Sequence, residues 1–156
     1  NENDGGWYYQ MKMLGFNYRM PDILCALGIN QLKRANEGLE SRRQIAERYN
    51  KAFIKNSYIH FQDPEIQKGH AFHLYIIKVK NRKALYDHLK SKNIFAQVHY
   101  IPVHTMPYYS LFGNKKGDHP IAEEYYKECL SLPMFPNLSI EEQNYVINTI
   151  NSFYGI

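Results

Sequence analysis

The sequence predicts an α+β fold, with helices grouped around a small sheet. Three observations carry that prediction. Apolar residues recur at helical spacing in segments near 22–32, 45–53, 85–89 and 146–154. Phe72 to Val79 is a β-branched and aromatic run of strand length. Ile94 to Tyr100 reads as a second strand, returning after a short helix. At 156 residues the chain is of single-domain length. Such a chain can bury roughly 70% of the surface it exposes when unfolded.

Taken in order, the elements have local causes. Pro21-Asp22 suits a helix first turn, because Pro presets φ and Asp complements the N-terminal dipole. Ile23, Leu24, Leu27 and Leu32 follow at helical spacing, and Gly38 is expected to mark a kink or a junction. A second helix places Ile45, Tyr49 and Phe53 on one face and Arg42, Arg43, Glu47, Arg48 and Lys51 on a solvated one. After the first strand, Asn81 can cap a helix carrying Leu85, Tyr86 and Leu89, which Asn93 ends. The stretch from Ile101 to Gly117 is broken by Pro102, Pro107 and Gly113, and long loops of this kind are usually functional or mobile. His119-Pro120 opens a helix running to about Leu130, with Glu123 and Glu124 in its first turn. Ser139-Ile140-Glu141-Glu142 is a capping box before the last helix, whose face holds Val146, Ile147, Ile150, Phe153 and Tyr154.

Composition narrows the function classes. With 44% hydrophobic and 22% charged residues, the chain is neither a disordered tail nor a coiled coil. No apolar run approaches the roughly 20 residues of a membrane-spanning helix, so no membrane role is expected. Nineteen basic and fifteen acidic residues give a net charge of +4, spread along the chain rather than clustered, which argues against nucleic acid. The two cysteines, Cys25 and Cys129, stand in separate apolar segments and read as reduced, buried residues of a cytoplasmic protein. Fourteen tyrosines suit polar pockets and interfaces, though a compositional bias of the genome would explain them equally well. The polar lead-in Asn1 to Gly6 lacks Met and a signal-peptide core, and reads as a cut through a longer chain.

Two segments invite chemistry. Asn17-Tyr18-Arg19 stands just before a helix start, where an amide, a guanidinium and the helix N-terminus can receive an anion. A turn Asn and a surface Arg would look the same. Gln97-Val98-His99-Tyr100 ends a strand and enters the Pro-bounded loop, with Gln97 and His99 expected on one face, and His104, Tyr108 and Tyr109 following. These groups could hydrogen-bond a sugar or a phosphate, or simply finish a strand. His70 and His73, and His99 with His104, use different spacings and have no Cys or carboxylate at ligand distance in sequence, so no metal site is predicted. No Ser or Cys stands in a nucleophile turn.

Read together, Leu14-Gly15-Phe16-Asn17-Tyr18-Arg19-Met20-Pro21-Asp22-Ile23, Arg42 to Tyr49, His73-Leu74-Tyr75, Val98-His99-Tyr100-Ile101-Pro102-Val103-His104 and Leu130-Ser131-Leu132-Pro133-Met134 resemble a known family. It is the DegT/DnrJ/EryC1/StrS group of pyridoxal-phosphate sugar aminotransferases. The resemblance runs in order along nearly the whole chain. It implies that residues 1–156 form the small C-terminal domain of a fold-type I aminotransferase, a mostly antiparallel sheet flanked by helices, with the 14–56 helical segment leading into it. The wording from Gln97 to Pro102 most resembles enzymes of the pseudaminic acid route, which aminate C4 of a UDP-linked 4-keto-6-deoxy-N-acetylhexosamine with glutamate as donor.

The resemblance also implies roles. These enzymes are cytoplasmic bacterial homodimers with shared sites, and Asn17 would reach the cofactor phosphate of the partner subunit. Arg19 would face the nucleotide-sugar; Gln97, His99 and Tyr100 would line the sugar or diphosphate pocket, with His104 and Tyr108 nearby. The Schiff-base lysine lies in the family's larger N-terminal domain, and no segment here matches its Ser-x-His-x-x-Lys surroundings. The chain by itself is therefore expected neither to hold the cofactor covalently nor to turn over, and to expose apolar surface that promotes oligomers or swapped packing. The alternatives are a non-catalytic nucleotide-sugar-binding module and a protein-interaction module built on the tyrosines.

Overall fold

The computed structural model describes residues 13–16 and 18–156; Asn17 and the lead-in lie outside the described residues. The chain divides into two units, residues 1–34 and 35–156.

The first unit contains helix α1, Asp22–Lys33. Its start follows from Pro21, whose carbonyl accepts the N–H groups of Leu24 at 2.9 Å and Cys25 at 3.0 Å. Asp22 in the first turn and Lys33 in the last both complement the helix dipole. No residue of α1 is buried. Cys25 is therefore not the core residue that its apolar neighbours suggested. It is half-buried, and its thiol donates to the Met20 carbonyl at 3.7 Å. Arg19, exposed, takes a left-handed φ of 45° just before the helix. The break between the first two helices falls at Arg34, and Gly38 lies inside the second one rather than at a junction.

The second unit holds every buried apolar residue described. Helix α2, Ala35–Phe53, contributes Ile45, Ala46, Tyr49 and Phe53 to the core, as its 3.6-residue period dictates. Strand β1, His60–Phe61, pairs antiparallel with β2, Tyr75–Lys78. Helix α3, Arg82–Ser91, buries Leu85 and Leu89. Asn81 occupies the N-cap position of α3 but makes no side-chain cap bond, so the expected Asn cap is positional only. A 3₁₀ turn at Val103–Thr105 and the short helix α4, Pro107–Ser110, follow. Helix α5, Pro120–Glu128, then passes without a linking residue into β3, Cys129–Leu132. Helix α6, Ile140–Phe153, closes the chain. Its capping box is formed as the sequence foretells: Glu142 N–H donates to Ser139 Oγ at 3.1 Å, and Ser139 N–H donates to Glu142 Oε2 at 2.9 Å.

The sheet is antiparallel in the order β1-β2-β3. Its register sets Tyr75 opposite Leu132 and Ile77 opposite Leu130, all four buried, so this face forms the core with α2, α3 and α6. Ile76 faces Ser131, and Lys78 faces Cys129, on the other side.

Three expectations are corrected here. The chain from Ile94 to Tyr100 is not a strand: Gln97 alone bridges to Ser131, giving one pair of backbone bonds at 3.1 and 2.7 Å. Beyond that bridge, His99 meets Ser131 through side chains rather than through a ladder bond. The helix expected to run to Leu130 stops at Glu128, because Cys129 to Leu132 pairs with β2 and is buried throughout. Sheet pairing overrides a weak local helix signal here. Finally, Arg42 does not lie on a solvated face: its Nη1 donates to the Phe72 and Met134 carbonyls, both at 3.0 Å, and to that of His73 at 3.4 Å.

Candidate functional site

The chemistry-bearing residues collect where the irregular segment 97–117 meets β3 and α5. Alternation along β3 sends Leu130 and Leu132 into the core and turns Ser131 and Cys129 to the opposite face. His99 settles on that face. Its Nδ1 lies 2.7 Å from Ser131 Oγ, and its carbonyl accepts from the Cys129 thiol at 3.8 Å. Burial pushes the Cys129 thiol up, which keeps it protonated and a donor. The His99 and Tyr100 rings meet edge-on at 4.6 Å across a cis peptide. Gln97 is exposed, Val98 packs against the core, and Tyr100 is 69% exposed.

His104 is placed differently. Its side chain is only 8% exposed, and its Nε2 lies 2.9 Å from Glu123 Oε1 on α5. The same carboxylate oxygen accepts the Gly117 N–H at 2.6 Å, and His119 packs edge-on against the His104 ring at 4.7 Å. One carboxylate thus pins both ends of the loop. The His104 bond and the Gly117 N–H hold the Glu123 carboxyl below its ordinary value of 4.5. A group depressed in this way contributes stability above that ordinary value and loses it as pH falls through the lower folded one. Thermal unfolding followed from neutral pH downward is expected to show a falling Tm below about 4.5, and Glu123→Gln is expected to flatten that dependence. An equally steep fall in the variant would exclude the pin.

A cleft of about 730 Å³ opens beside this loop, lined by Tyr100, Ile101, Val103, His119, Ile121 and Tyr125. Its walls are largely apolar with a few polar tips, the usual make-up of a small-molecule site. Tyr108, on α4, is exposed and packs edge-on against Tyr109 and Phe112, each at 5.4 Å. A second cleft, of about 610 Å³, is lined by His60, His70, His73, Lys78 and Tyr125. There His70 Nδ1 accepts the Phe72 N–H at 2.9 Å.

Of the residues singled out in the sequence, Gln97 and His99 come together at Ser131 of β3, Tyr100 adjoins the His99 ring at the 730 Å³ cleft, His104 is held within the loop, and Tyr108 stands on the neighbouring short helix. Arg19 belongs to the first unit, and Asn17 lies outside the described residues. Sequence reasoning missed Ser131. The available signal was a single polar residue alternating with leucines in Leu130-Ser131-Leu132, the pattern of a strand with its polar side away from the core. Glu123 was noticed only as a first-turn acid.

The DegT/DnrJ/EryC1/StrS aminotransferase family model matches residues 2–151. The chain belongs to this family. A spore coat polysaccharide biosynthesis protein of Bacillus subtilis, SpsC, is 38% identical over 156 residues, covering 95% of this chain and 40% of its own length. A UDP-4-amino-4,6-dideoxy-N-acetyl-beta-L-altrosamine transaminase of Campylobacter jejuni is 36% identical over 152 residues, covering 94% of this chain and 40% of itself. The solved structure of Helicobacter pylori PseC, an aminotransferase involved in pseudoaminic acid biosynthesis, superposes with a TM-score of 0.79 at 28% identity, over 95% of this chain and 41% of that one. The chain thus spans about 40% of the length of the curated relatives it matches. The PseC structure, from the same family, shares this helix-flanked antiparallel sheet with the chain.

Among the described lysines only Lys78 is partly buried rather than exposed, and it pairs with Glu128 at 3.7 Å.

Proposed function

We propose that this chain is the C-terminal part of a pyridoxal-phosphate-dependent nucleotide-sugar aminotransferase. In this reading residues 1–156, including the helical segment 14–56, form its small domain, and a larger domain elsewhere in the protein carries the Schiff-base lysine. The amino group comes from glutamate and goes to C4 of a UDP-linked 4-keto-6-deoxy sugar, in the cytoplasm, for a surface glycan or flagellin sugar. The observation that carries the reading is the family match across residues 2–151, and the C. jejuni transaminase supports the C4 and UDP assignments.

The cofactor, when bound, supplies the electron sink that lets an amino group exchange with a carbonyl oxygen. What this chain adds is recognition. An Asn17 amide can donate to a phosphate oxygen of the partner subunit's cofactor in a homodimer. The fork of Arg19 suits a diphosphate. Gln97, His99 and Tyr100 offer donors and an aromatic edge to the sugar or diphosphate, with Tyr108 beside them, and His104 holds their loop through Glu123.

The test is an assay of the full-length protein with pyridoxal phosphate, glutamate and a UDP-linked 4-keto-6-deoxy-N-acetylhexosamine, read by mass spectrometry. Conversion to the 4-amino sugar is expected, while the 156-residue chain alone is expected to give neither product nor the absorbance of a lysine-bound cofactor. Turnover by the isolated chain would overturn the domain assignment. Failure of the full-length protein on UDP-, dTDP- and GDP-linked keto-sugars alike would overturn the function.

A further inference from the structure

We propose that Ser131 is the positioning residue that sets the tautomer of His99, so that Nε2 carries the ring proton and serves as the donor to a phosphate or hydroxyl oxygen of the nucleotide-sugar. The role toward the sugar rests on the function proposed above; the tautomer does not.

The argument begins with the hydroxyl. Ser131 is 4% exposed and sits in a strand paired on both sides. Ile76 of β2 lies opposite it, and Gln97 exchanges two backbone bonds with it. The position of Oγ is therefore set by the sheet rather than by the loop. Among the described residues its side chain bonds only the His99 ring, at 2.7 Å from Nδ1.

A hydroxyl has one hydrogen and two lone pairs, and a neutral imidazole has one donor and one acceptor nitrogen. Two arrangements satisfy the distance. If Nδ1–H donates, the buried serine hydrogen has no acceptor among the described residues. If Ser131 donates, its hydrogen is used, Nδ1 is the acceptor, and the ring proton sits on Nε2. An unpaired buried donor carries a desolvation penalty, whereas a spare lone pair on an oxygen is better tolerated. The second arrangement wins.

No described residue bonds Nε2, so that donor is available. A fixed N–H donor matches the acceptor-only oxygens of a diphosphate and the hydroxyls of a sugar, and would repel neither. Fixing the tautomer before binding removes an ordering cost from the encounter. Ser131 would act through His99 and touch no ligand itself.

The experiment uses the full-length protein without ligand, labelled with 15N in its histidine rings, with His99→Gln assigning the resonances. Nδ1 is expected as a bare acceptor and Nε2 as the protonated nitrogen; the opposite pattern overturns the proposal. Ser131→Ala is expected to abolish the preference between the two nitrogens. It is also expected to raise KM for the UDP-linked keto-sugar roughly tenfold, the worth of one hydrogen bond, while leaving kcat unchanged. Ser131→Thr, which keeps the hydroxyl, is expected to restore both readouts. An alanine variant with unaltered tautomer and KM overturns the proposal. Should that variant not fold, the wild-type spectrum alone decides. Should the full-length protein aminate no nucleotide-sugar, the functional reading fails while the tautomer remains decided by the spectrum.

Discussion

Tyr49→Ala is expected to destabilise the domain by about 4 kcal/mol, the range for removing a large aromatic from a packed core. Tyr49 is fully buried, stacks on Phe53 at 5.8 Å and packs against Tyr75 at 4.8 Å. Its hydroxyl donates to the Pro133 carbonyl at 3.0 Å, so one side chain joins α2, β2 and the crossing after β3. Burial pushes the phenols of Tyr49 and Tyr75 well above the ordinary tyrosine value, so both stay neutral donors. Tyr49→Phe separates the two contributions: it keeps the ring and is expected to cost about 1 kcal/mol, the net worth of one hydrogen bond. Denaturant unfolding of both variants is the check. Equal losses would show that the hydroxyl, not the packing, carries the effect.

Arg42→Met is expected to cost about 3 kcal/mol, because carbonyls that lose a charged donor keep their desolvation penalty. The guanidinium ties Phe72, His73 and Met134, thirty to ninety-two positions away in sequence, to α2. Phe72 itself sits at a left-handed φ of 49°, a conformation a bulky residue adopts only when its surroundings impose it. Methionine approximates the apolar stem and removes the donors together with their charge. Arg42→Lys is not expected to recover the loss, since all three bonds come from Nη1 and the shorter lysine stem ends about one bond short of that position. A thermal melt of Arg42→Lys coinciding with wild type would show that charge alone suffices.

These two residues also mark what the sequence could and could not reveal. Ile45, Tyr49 and Phe53 recur at i, i+4 and i+8, so the buried face of α2 was legible from local period alone, as was the Ser139–Glu142 box. Arg42 sits on the same helix and reads as solvated, because nothing local announces that carbonyls from two distant crossings converge on it. Strand β3 was hidden for a related reason: Cys-Leu-Ser-Leu is compatible with a helix end, and only pairing with β2 decides it. The expected strand at Ile94 to Tyr100 failed in the opposite sense, having strand composition but one bridge. At the candidate site, Gln97, His99 and Tyr100 were visible as polar groups entering a Pro-bounded loop. Their anchor was not, since Ser131 lies thirty-two positions from His99.

The direct passage from α5 into β3 has a consequence for how this protein can change length. The last helical residue, Glu128, already offers its carbonyl to Val79 N–H at 3.0 Å, so helix and sheet share that junction with no slack between them. One residue gained or lost between Pro120 and Ser131 would rotate Glu123 about 100° around the helix axis or turn every β3 side chain to the opposite face. Leu130 after a gain, or Leu132 after a loss, would then stand where Ser131 stands, and His99 would face a hydrocarbon. The segment from Leu111 to Lys116, exposed apart from Asn114 and lying ahead of the Gly117 pin, carries no such geometric arithmetic. Insertions and deletions belong there, and the spacing from Glu123 to Ser131 behaves as a fixed ruler.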